Sequence, residues 1–181
     1  MATSIRELLS WGEYELSGAS ENPQLDARIL LAEILNISQT HLAIRVQVST
    51  EQAKEFEAWI IRRKNCEPIQ YITTRAYFRS LTLAVGPGVL IPRPESEPLV
   101  DAVIDYVKKS AQLSLDKTLV ADFGAGSGAL AISIASELPA SAVVAVESET
   151  QALSWLEKNV AALAPQVQVD RKSTRLNSSH A

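Results

Sequence analysis

The residues with the clearest chemical potential are two acids that flank a run of glycines. Asp122 directly precedes the segment Phe123-Gly124-Ala125-Gly126-Ser127-Gly128, and Glu147 follows the glycines at a spacing of about 20 residues. Glycine has no Cβ, so its backbone can take positive φ and approach a ligand closely. A carboxylate at this spacing binds the hydroxyls of a ribose in doubly wound nucleotide-binding folds. The pattern therefore predicts a site for a cofactor that contains a nucleoside.

Apolar periodicity places these residues at the carboxyl ends of two parallel strands. We predict strands over residues 118–123 and 142–147, helices over about 127–138 and 150–162, and a third strand from Val167. Strands that alternate with helices imply the α/β class, with a parallel sheet that binds ligands beyond the carboxyl ends of its strands. The predicted cofactor-binding residues are Asp122, Gly124, Ala125, Gly126, Ser127, Gly128 and Glu147.

Two cofactors suit this loop. The dinucleotide fingerprint G-x-G-x-x-G or G-x-G-x-x-A fits loosely, because the third glycine comes one residue early and Ala129 takes the last position. A dinucleotide also needs its pyrophosphate at the helix N-terminus, where the nearby Asp122 repels it. S-adenosylmethionine has no phosphate, and its sulfonium and zwitterionic end tolerate or favour an acid. The sequence favours S-adenosylmethionine, and an NAD-dependent oxidoreductase remains the alternative.

The first 65 residues are predicted to form a helical bundle. Ser4 and Glu7 form a capping-box pattern, Asn22-Pro23 is typical of a helix start, and a third helix is predicted over about residues 50–64. Three large side chains are assigned to the bundle core, namely Trp11, Leu42 and Trp59.

Residues 66–94 are predicted to form a hairpin and a proline-rich linker. Aromatic and β-branched residues alternate from Ile69 onward, and Gly86-Pro87-Gly88 ends the hairpin in a turn. Prolines then stiffen residues 89–98. Either this segment is a plain linker, which its composition favours, or it also forms a pocket wall from which three charged side chains point one way: Arg93, Glu95 and Glu97.

Composition excludes several function classes. A net charge of −4 gives no basic surface for nucleic acid, and one cysteine with two histidines leaves no zinc cluster and no internal disulfide. No apolar run reaches the ~20 residues that span a membrane, and the N-terminus lacks an export signal. We expect a cytoplasmic monomer without a metal. The basic tail, residues 171–181, is either a disordered segment or, as we favour, translated adapter or vector sequence that is not native.

Several segments, in order over about residues 5–169, occur together in one known family. They are Arg62-Arg63, Glu67-Pro68-Ile69-Gln70-Tyr71-Ile72 with Phe78, Val89-Leu90-Ile91-Pro92-Arg93-Pro94-Glu95-Ser96-Glu97, Asp122 to Gly128, Ala145-Val146-Glu147, Ala152-Leu153 and Asn159. With these segments the chain resembles the bacterial glutamine methyltransferases that modify peptide chain release factors. Ser96 stands where threonine is usual, Thr74 where glycine is usual, and Glu147 where aspartate is commoner.

The resemblance implies a helical domain (residues 1–65) that helps to hold the release factor, a hairpin linker (66–94), and the start of a Rossmann-like methyltransferase sheet (95–170). It implies methyl transfer from S-adenosylmethionine to the side-chain amide nitrogen of the glutamine in a release factor's Gly-Gly-Gln loop. Residues Gly124 to Gly128 would cradle the methionine end, and Glu147 would bind the ribose hydroxyls.

The family's substrate-gripping loop, Asn-Pro-Pro-Tyr, does not occur in this sequence. We therefore assign no catalytic residue and interpret the chain as an N-terminal fragment of a methyltransferase that is inactive alone. The alternative from another class is a short protein whose helical domain binds a release factor without performing chemistry.

Overall fold

The computed structural model describes residues 3–44, 47–109 and 118–171. The chain divides into two compact units, residues 1–73 and 74–181. Most of the predicted tail lies outside the described residues, although Arg171 is described and donates a hydrogen bond to Thr150 Oγ1 at 3.0 Å. No helix in the described ranges is both long enough and apolar enough to cross a membrane.

The first unit is a bundle of helices whose starts are fixed by local capping. Its elements are β1 (Thr3–Ser4), α1 (Ile5–Leu16), α2 (Pro23–Leu35), a 3-10 helix (Gln39–Ala43), β2 (Gln47–Val48), α3 (Thr50–Lys64) and α4 (Ile69–Thr73). Strands β1 and β2 pair antiparallel. Ser4 and Glu7 form the predicted capping box at α1, and Asn22 caps α2 by accepting from the Leu25 N–H at 3.1 Å. Such caps satisfy donors that have no partner inside the helix.

The core of this unit is apolar and closely packed. Leu16, Leu30 and Phe56 are fully buried at its centre. Leu42 is also buried, and the two tryptophans pack against the same cluster. Trp11 meets the Phe56 ring edge-on with centroids 6.2 Å apart. The prediction that the two tryptophans and Leu42 belong to the bundle core is confirmed.

The hairpin predicted from Ile69 onward is wrong for residues 69–73, which form α4. The Arg62 guanidinium holds the Glu67 carboxylate with two bonds of 2.8 and 2.5 Å, and it also donates to the carbonyl of Tyr71 at 3.4 Å. Ile72 is buried in the core of the helical unit. These tertiary contacts outweigh the β propensity of the local sequence, because propensity is a weak prior.

The second unit has the predicted α/β architecture. Its elements are β3 (Arg75–Phe78), β4 (Leu81–Ala84), a 3-10 turn (Pro94–Ser96), α5 (Glu97–Lys109), β5 (Leu119–Phe123), α6 (Ala129–Glu137), β6 (Ala142–Val146), α7 (Thr150–Leu163) and β7 (Gln168–Asp170). Strands β3 and β4 form an antiparallel hairpin, and β5, β6 and β7 form a parallel sheet in that order. Each of α6 and α7 connects two neighbouring parallel strands.

The two faces of the parallel sheet differ in solvent exposure. Val143 and Ala145 are buried on the face against which α6 and α7 pack, and α5 packs on α6. The opposite face carries alternate residues of β5, and Leu119 and Phe123 are 66% and 71% exposed there. The alternation follows from the two-residue period of a strand.

The hairpin turn is attached to both α5 and α6. Arg79, at φ 51°, donates to Glu137 at 2.8 and 3.1 Å and forms an ion pair with Asp101 at 2.8 Å. The Glu97 carboxylate accepts from the Arg79 backbone N–H at 3.0 Å. The hairpin is therefore an integral part of the sheet unit.

Candidate cofactor-binding site

The glycine loop reverses the chain between β5 and α6, and every second residue from Gly124 to Gly128 has a positive φ angle. Gly124, Gly126 and Gly128 have φ of 78°, 56° and 85°. The backbone N–H groups of Gly124 and Ala125 both donate to the carbonyl of Val146, at 2.9 and 3.0 Å, which fixes the loop to the end of β6. Because L-residues with a Cβ rarely adopt these angles, the conformation favours glycine at all three positions.

The three glycines nevertheless have different structural roles. A Cβ on Gly128 would lie 2.7 Å from Leu156 Cδ1 and 3.0 Å from Ile132 Cδ1, so this glycine permits helix packing. A Cβ on Gly124 would meet nothing within 4 Å, and one on Gly126 would meet only atoms at 3.9 Å or beyond. The first two glycines therefore face open space, as a backbone that approaches a ligand must do.

Asp122 caps the helix that follows the loop. Its Oδ2 accepts from the backbone N–H of Ala131, in the first turn of α6, at 3.2 Å. Burial raises the pKa of Asp122, the hydrogen bond from Ala131 opposes the rise, and the negative charge of Glu147 adds to it. One donor of this helix start, the Ala131 N–H, is therefore already bonded to a carboxylate.

Glu147 is buried and connects the glycine loop to the segment that follows β6. Its Oε2 accepts from the Gly126 N–H at 2.9 Å, and its Oε1 accepts from the N–H groups of Ser148 and Glu149 at 2.7 and 2.9 Å. Burial raises the pKa of Glu147, but these three donors outweigh burial and hold the pKa below its ordinary value. A carboxylate has about four acceptor positions, so these three bonds occupy all but one of them.

The loop forms one wall of a cavity of about 150 Å³. Five of the predicted site residues line it, namely Asp122, Gly124, Ala125, Gly126 and Ser127, whereas Gly128 and Glu147 do not. The cavity is smaller than the roughly 300–1,000 Å³ of a typical ligand pocket. It therefore matches one end of an extended cofactor.

The proline-rich segment supplies the facing wall. Residues 90–93 and Ser96 line the cavity, so the pocket-wall interpretation is correct. The expectation that three charged side chains point the same way is wrong, because only Arg93 lines the cavity. Glu97 instead accepts from the backbone of the hairpin turn, and Glu95 is exposed. Sequence patterning does not reveal that long-range hydrogen bond.

Asn159 is the site-supporting residue that reasoning from the residues alone missed. Its side chain is buried and makes hydrogen bonds to both the hairpin and the glycine loop. The sequence pattern that could have indicated a role for Asn159 is its four-residue spacing from Trp155 and Gln151, which places three hydrogen-bonding side chains on one face of α7.

Comparison with known proteins agrees with this architecture. The model of the PrmC N-terminal domain matches residues 7–73, and the methyltransferase small domain model matches residues 104–180. A release factor glutamine methyltransferase of Bifidobacterium longum is 38% identical over 166 residues, which are 88% of this chain and 55% of that protein. By sequence, the chain is similar to the release factor glutamine methyltransferase family over most of its length.

Other members of the family are similar to the same extent. The enzyme of the same name from Coxiella burnetii is 38% identical over 86% of this chain and 55% of its own length, and that of Escherichia coli is 36% identical over 81% and 51%. The chain thus spans about half the length of the curated relatives it matches.

Solved structures resemble the chain at lower identity. The N-terminal domain of human METTL16 has a TM-score of 0.45 and 16% identity over 83% of this chain and 55% of its own. A putative protein-L-isoaspartate O-methyltransferase from Plasmodium falciparum, solved with S-adenosyl-L-homocysteine, has a TM-score of 0.37 and 11% identity over 97% and 66%.

Proposed function

We propose that the glycine loop binds S-adenosylmethionine and that the whole protein methylates the side-chain amide of the glutamine in a release factor's Gly-Gly-Gln loop. Similarity to the release factor glutamine methyltransferases supports the reaction. The open space in front of Gly124 and Gly126 supports the binding site, because a backbone free of side chains can lie against the ligand.

The residues present fit the methyl donor. The segment from Gly124 to Ser127 would hold its methionine end in the cavity, and Asp122 would lie close to its positive charges. Glu147 would receive one ribose hydroxyl at its remaining acceptor position, or both after releasing a backbone donor. When bound, S-adenosylmethionine supplies a methyl group that is activated by the adjacent sulfonium.

The single observation that carries the choice of cofactor is the bond between Asp122 and Ala131. A dinucleotide places its pyrophosphate at the helix N-terminus, where free N–H groups and the helix dipole attract an anion. Here a carboxylate of the chain itself accepts from that helix start at 3.2 Å. The arrangement repels a second anion and suits a cofactor without phosphate.

The reaction places specific demands on the protein. An amide nitrogen is a poor nucleophile because its lone pair is delocalised, so the methyl group and the nitrogen must be held in line. The described residues supply the cofactor side of that arrangement. The release factor is the proposed partner, and the helical unit is the proposed place where the protein holds it.

Cofactor choice is tested by titrating this chain with S-adenosylhomocysteine and with NADH in a calorimeter. We expect S-adenosylhomocysteine to bind at least tenfold more tightly, a difference of about 1.4 kcal/mol. Tighter binding of NADH would refute the proposal and favour the oxidoreductase.

The reaction is tested with the whole protein, radiolabelled S-adenosylmethionine and a release factor. We expect label on the factor and none on a control factor in which the glutamine of Gly-Gly-Gln is replaced by alanine. Equal labelling of both factors, or no labelling by a folded enzyme that binds the cofactor, would contradict the proposed substrate.

A further inference from the structure

One face of α7 runs along the segment that follows the hairpin. Gln151, Trp155 and Asn159 are four residues apart, so they lie on one side of the helix. Trp155 Nε1 donates to the carbonyl of Pro87 at 3.2 Å, and its indole ring lies 2.4 Å from where a Cβ of Gly86 would be. Gln151 packs in the same way against the next glycine of the segment.

The third residue of this face makes three hydrogen bonds to two different parts of the chain. Asn159 Oδ1 accepts from the Ala84 N–H at 2.7 Å. Its Nδ2 donates to the carbonyl oxygen of Ala84 at 2.9 Å and to that of Ser127 at 2.8 Å. Asn159 is only 2% exposed, so water does not substitute for these partners.

The network specifies an asparagine in one orientation. A flipped amide would turn its NH₂ group toward the Ala84 N–H and its oxygen toward two carbonyls. An aspartate would place an acceptor against both carbonyls, and an alanine would remove this partner from the buried carbonyl of Ser127 and from two part-buried groups of Ala84. Only a side chain with one acceptor and two donors at this position satisfies Ala84 and Ser127 together.

One of these partners lies in a wall of the cavity, and the other lies outside the cavity on the chain that leads to the facing wall. Ser127 lies in the glycine loop, and Ala84 begins the short connection to residues 90–93 of the facing wall. We infer that Asn159 is the positioning residue that sets the separation of the walls, and thereby the affinity for the nucleoside cofactor. The identity of that ligand rests on the proposed function, whereas the positioning role rests on the three hydrogen bonds.

The test compares Asn159→Ala with Val160→Ala in the full chain. Val160 is the next residue of α7 and is buried in the core of the unit, so its truncation lowers stability without removing a bond to either wall. We expect Asn159→Ala to weaken S-adenosylhomocysteine binding about tenfold or more, and Val160→Ala to leave it within about twofold, by calorimetry. Thermal unfolding is recorded for both variants. Equal affinities of the two folded variants would overturn the inference.

A second variant covers the case in which Asn159→Ala does not fold. Asn159→Asp presents only acceptors to the two carbonyls when ionised, and protonation of its carboxyl restores one donor. Its affinity for S-adenosylhomocysteine should be at least tenfold below that of the wild type at about pH 8, where the carboxyl is ionised, and the deficit should shrink as the carboxyl protonates at lower pH. Wild-type affinity of the ionised variant would count against the positioning role.

Hydrogen exchange separates the inference from the proposed function. In the ligand-free protein, Asn159→Ala should accelerate amide exchange in the peptide that contains the glycine loop, relative to Val160→Ala. If the wild type does not bind S-adenosylhomocysteine, the proposed function fails, and this comparison alone decides the role of Asn159. Unchanged exchange in the loop would refute it.

Discussion

Replacing Gly128 by alanine should damage the fold far more than the same change at Gly124. Both positions have positive φ, 85° and 78°, so each substitution costs about 1–2 kcal/mol for the left-handed conformation. At Gly128 the new Cβ also lies 2.7 Å from Leu156 and 3.0 Å from Ile132. Both side chains are fully buried and have no solvent to move into, so overpacking adds about 1–3 kcal/mol.

We therefore expect Gly128→Ala to lower the free energy of unfolding by about 2–5 kcal/mol and Gly124→Ala by about 1–2 kcal/mol. Urea unfolding followed by circular dichroism measures both values in parallel. The effects on ligand binding should be reversed, because the Cβ of Gly124→Ala enters the open space of the proposed cofactor site. Among variants that remain folded, Gly124→Ala should bind S-adenosylhomocysteine more weakly than Gly128→Ala.

Equal losses of stability in the two variants would refute the reasoning, because the difference rests entirely on the contacts of the added methyl group. Gly126→Ala is the matched control within the loop. Its φ is 56° and its nearest new contact is 3.9 Å away, so its stability should resemble that of Gly124→Ala.

Three further substitutions test separate features. Asp122→Asn keeps an acceptor for the Ala131 N–H and removes a buried charge. Because the folded-state pKa of Asp122 is raised, ionisation of Asp122 destabilises the wild-type fold as pH rises. The variant should therefore have a higher melting temperature than the wild type at pH 7 and the same melting temperature in acid. A lower melting temperature at neutral pH would contradict this. Glu147→Gln should lose about 2–4 kcal/mol in urea unfolding, since an amide cannot satisfy all three backbone donors. Because the folded-state pKa of Glu147 is lowered, the stability that ionised Glu147 contributes is present above the ordinary carboxyl pKa and is lost as pH falls through the folded-state pKa. A stability deficit of Glu147→Gln that persists in acid would therefore disprove the electrostatic origin of this contribution. Thr74→Gly should gain about 1 kcal/mol in urea unfolding, because Thr74 is β-branched and has φ of 58°; an unchanged or lower value would show that the angle is not strained.

Local patterns predicted much of the fold. The helix starts after Ser4 and Asn22 follow from the predicted caps, each complete within four residues of sequence. The strand, glycine loop and helix around Asp122 were equally readable, because a buried strand that ends in glycines leaves few alternatives.

The features that sequence did not predict depend on partners distant in the chain. Residues 69–73 became a helix because of contacts with Arg62 and the bundle core. Glu147 has the expected position at the end of β6, but its side chain also accepts from the backbone N–H of Gly126, 21 residues earlier in the chain. Asn159 reaches Ala84 across 75 positions of sequence, a relation that no local pattern encodes.

The exposed face of the parallel sheet governs how the chain behaves at high concentration. Leu119 and Phe123 present large apolar surfaces to water on β5. Within the described residues, β5 and β7 each pair with a single neighbour, so both present a strand edge to which another chain can add. An apolar face beside an open edge favours reversible self-association. Light scattering should therefore increase more steeply than in proportion to protein concentration, and equilibrium measurements on this chain belong at low micromolar concentration.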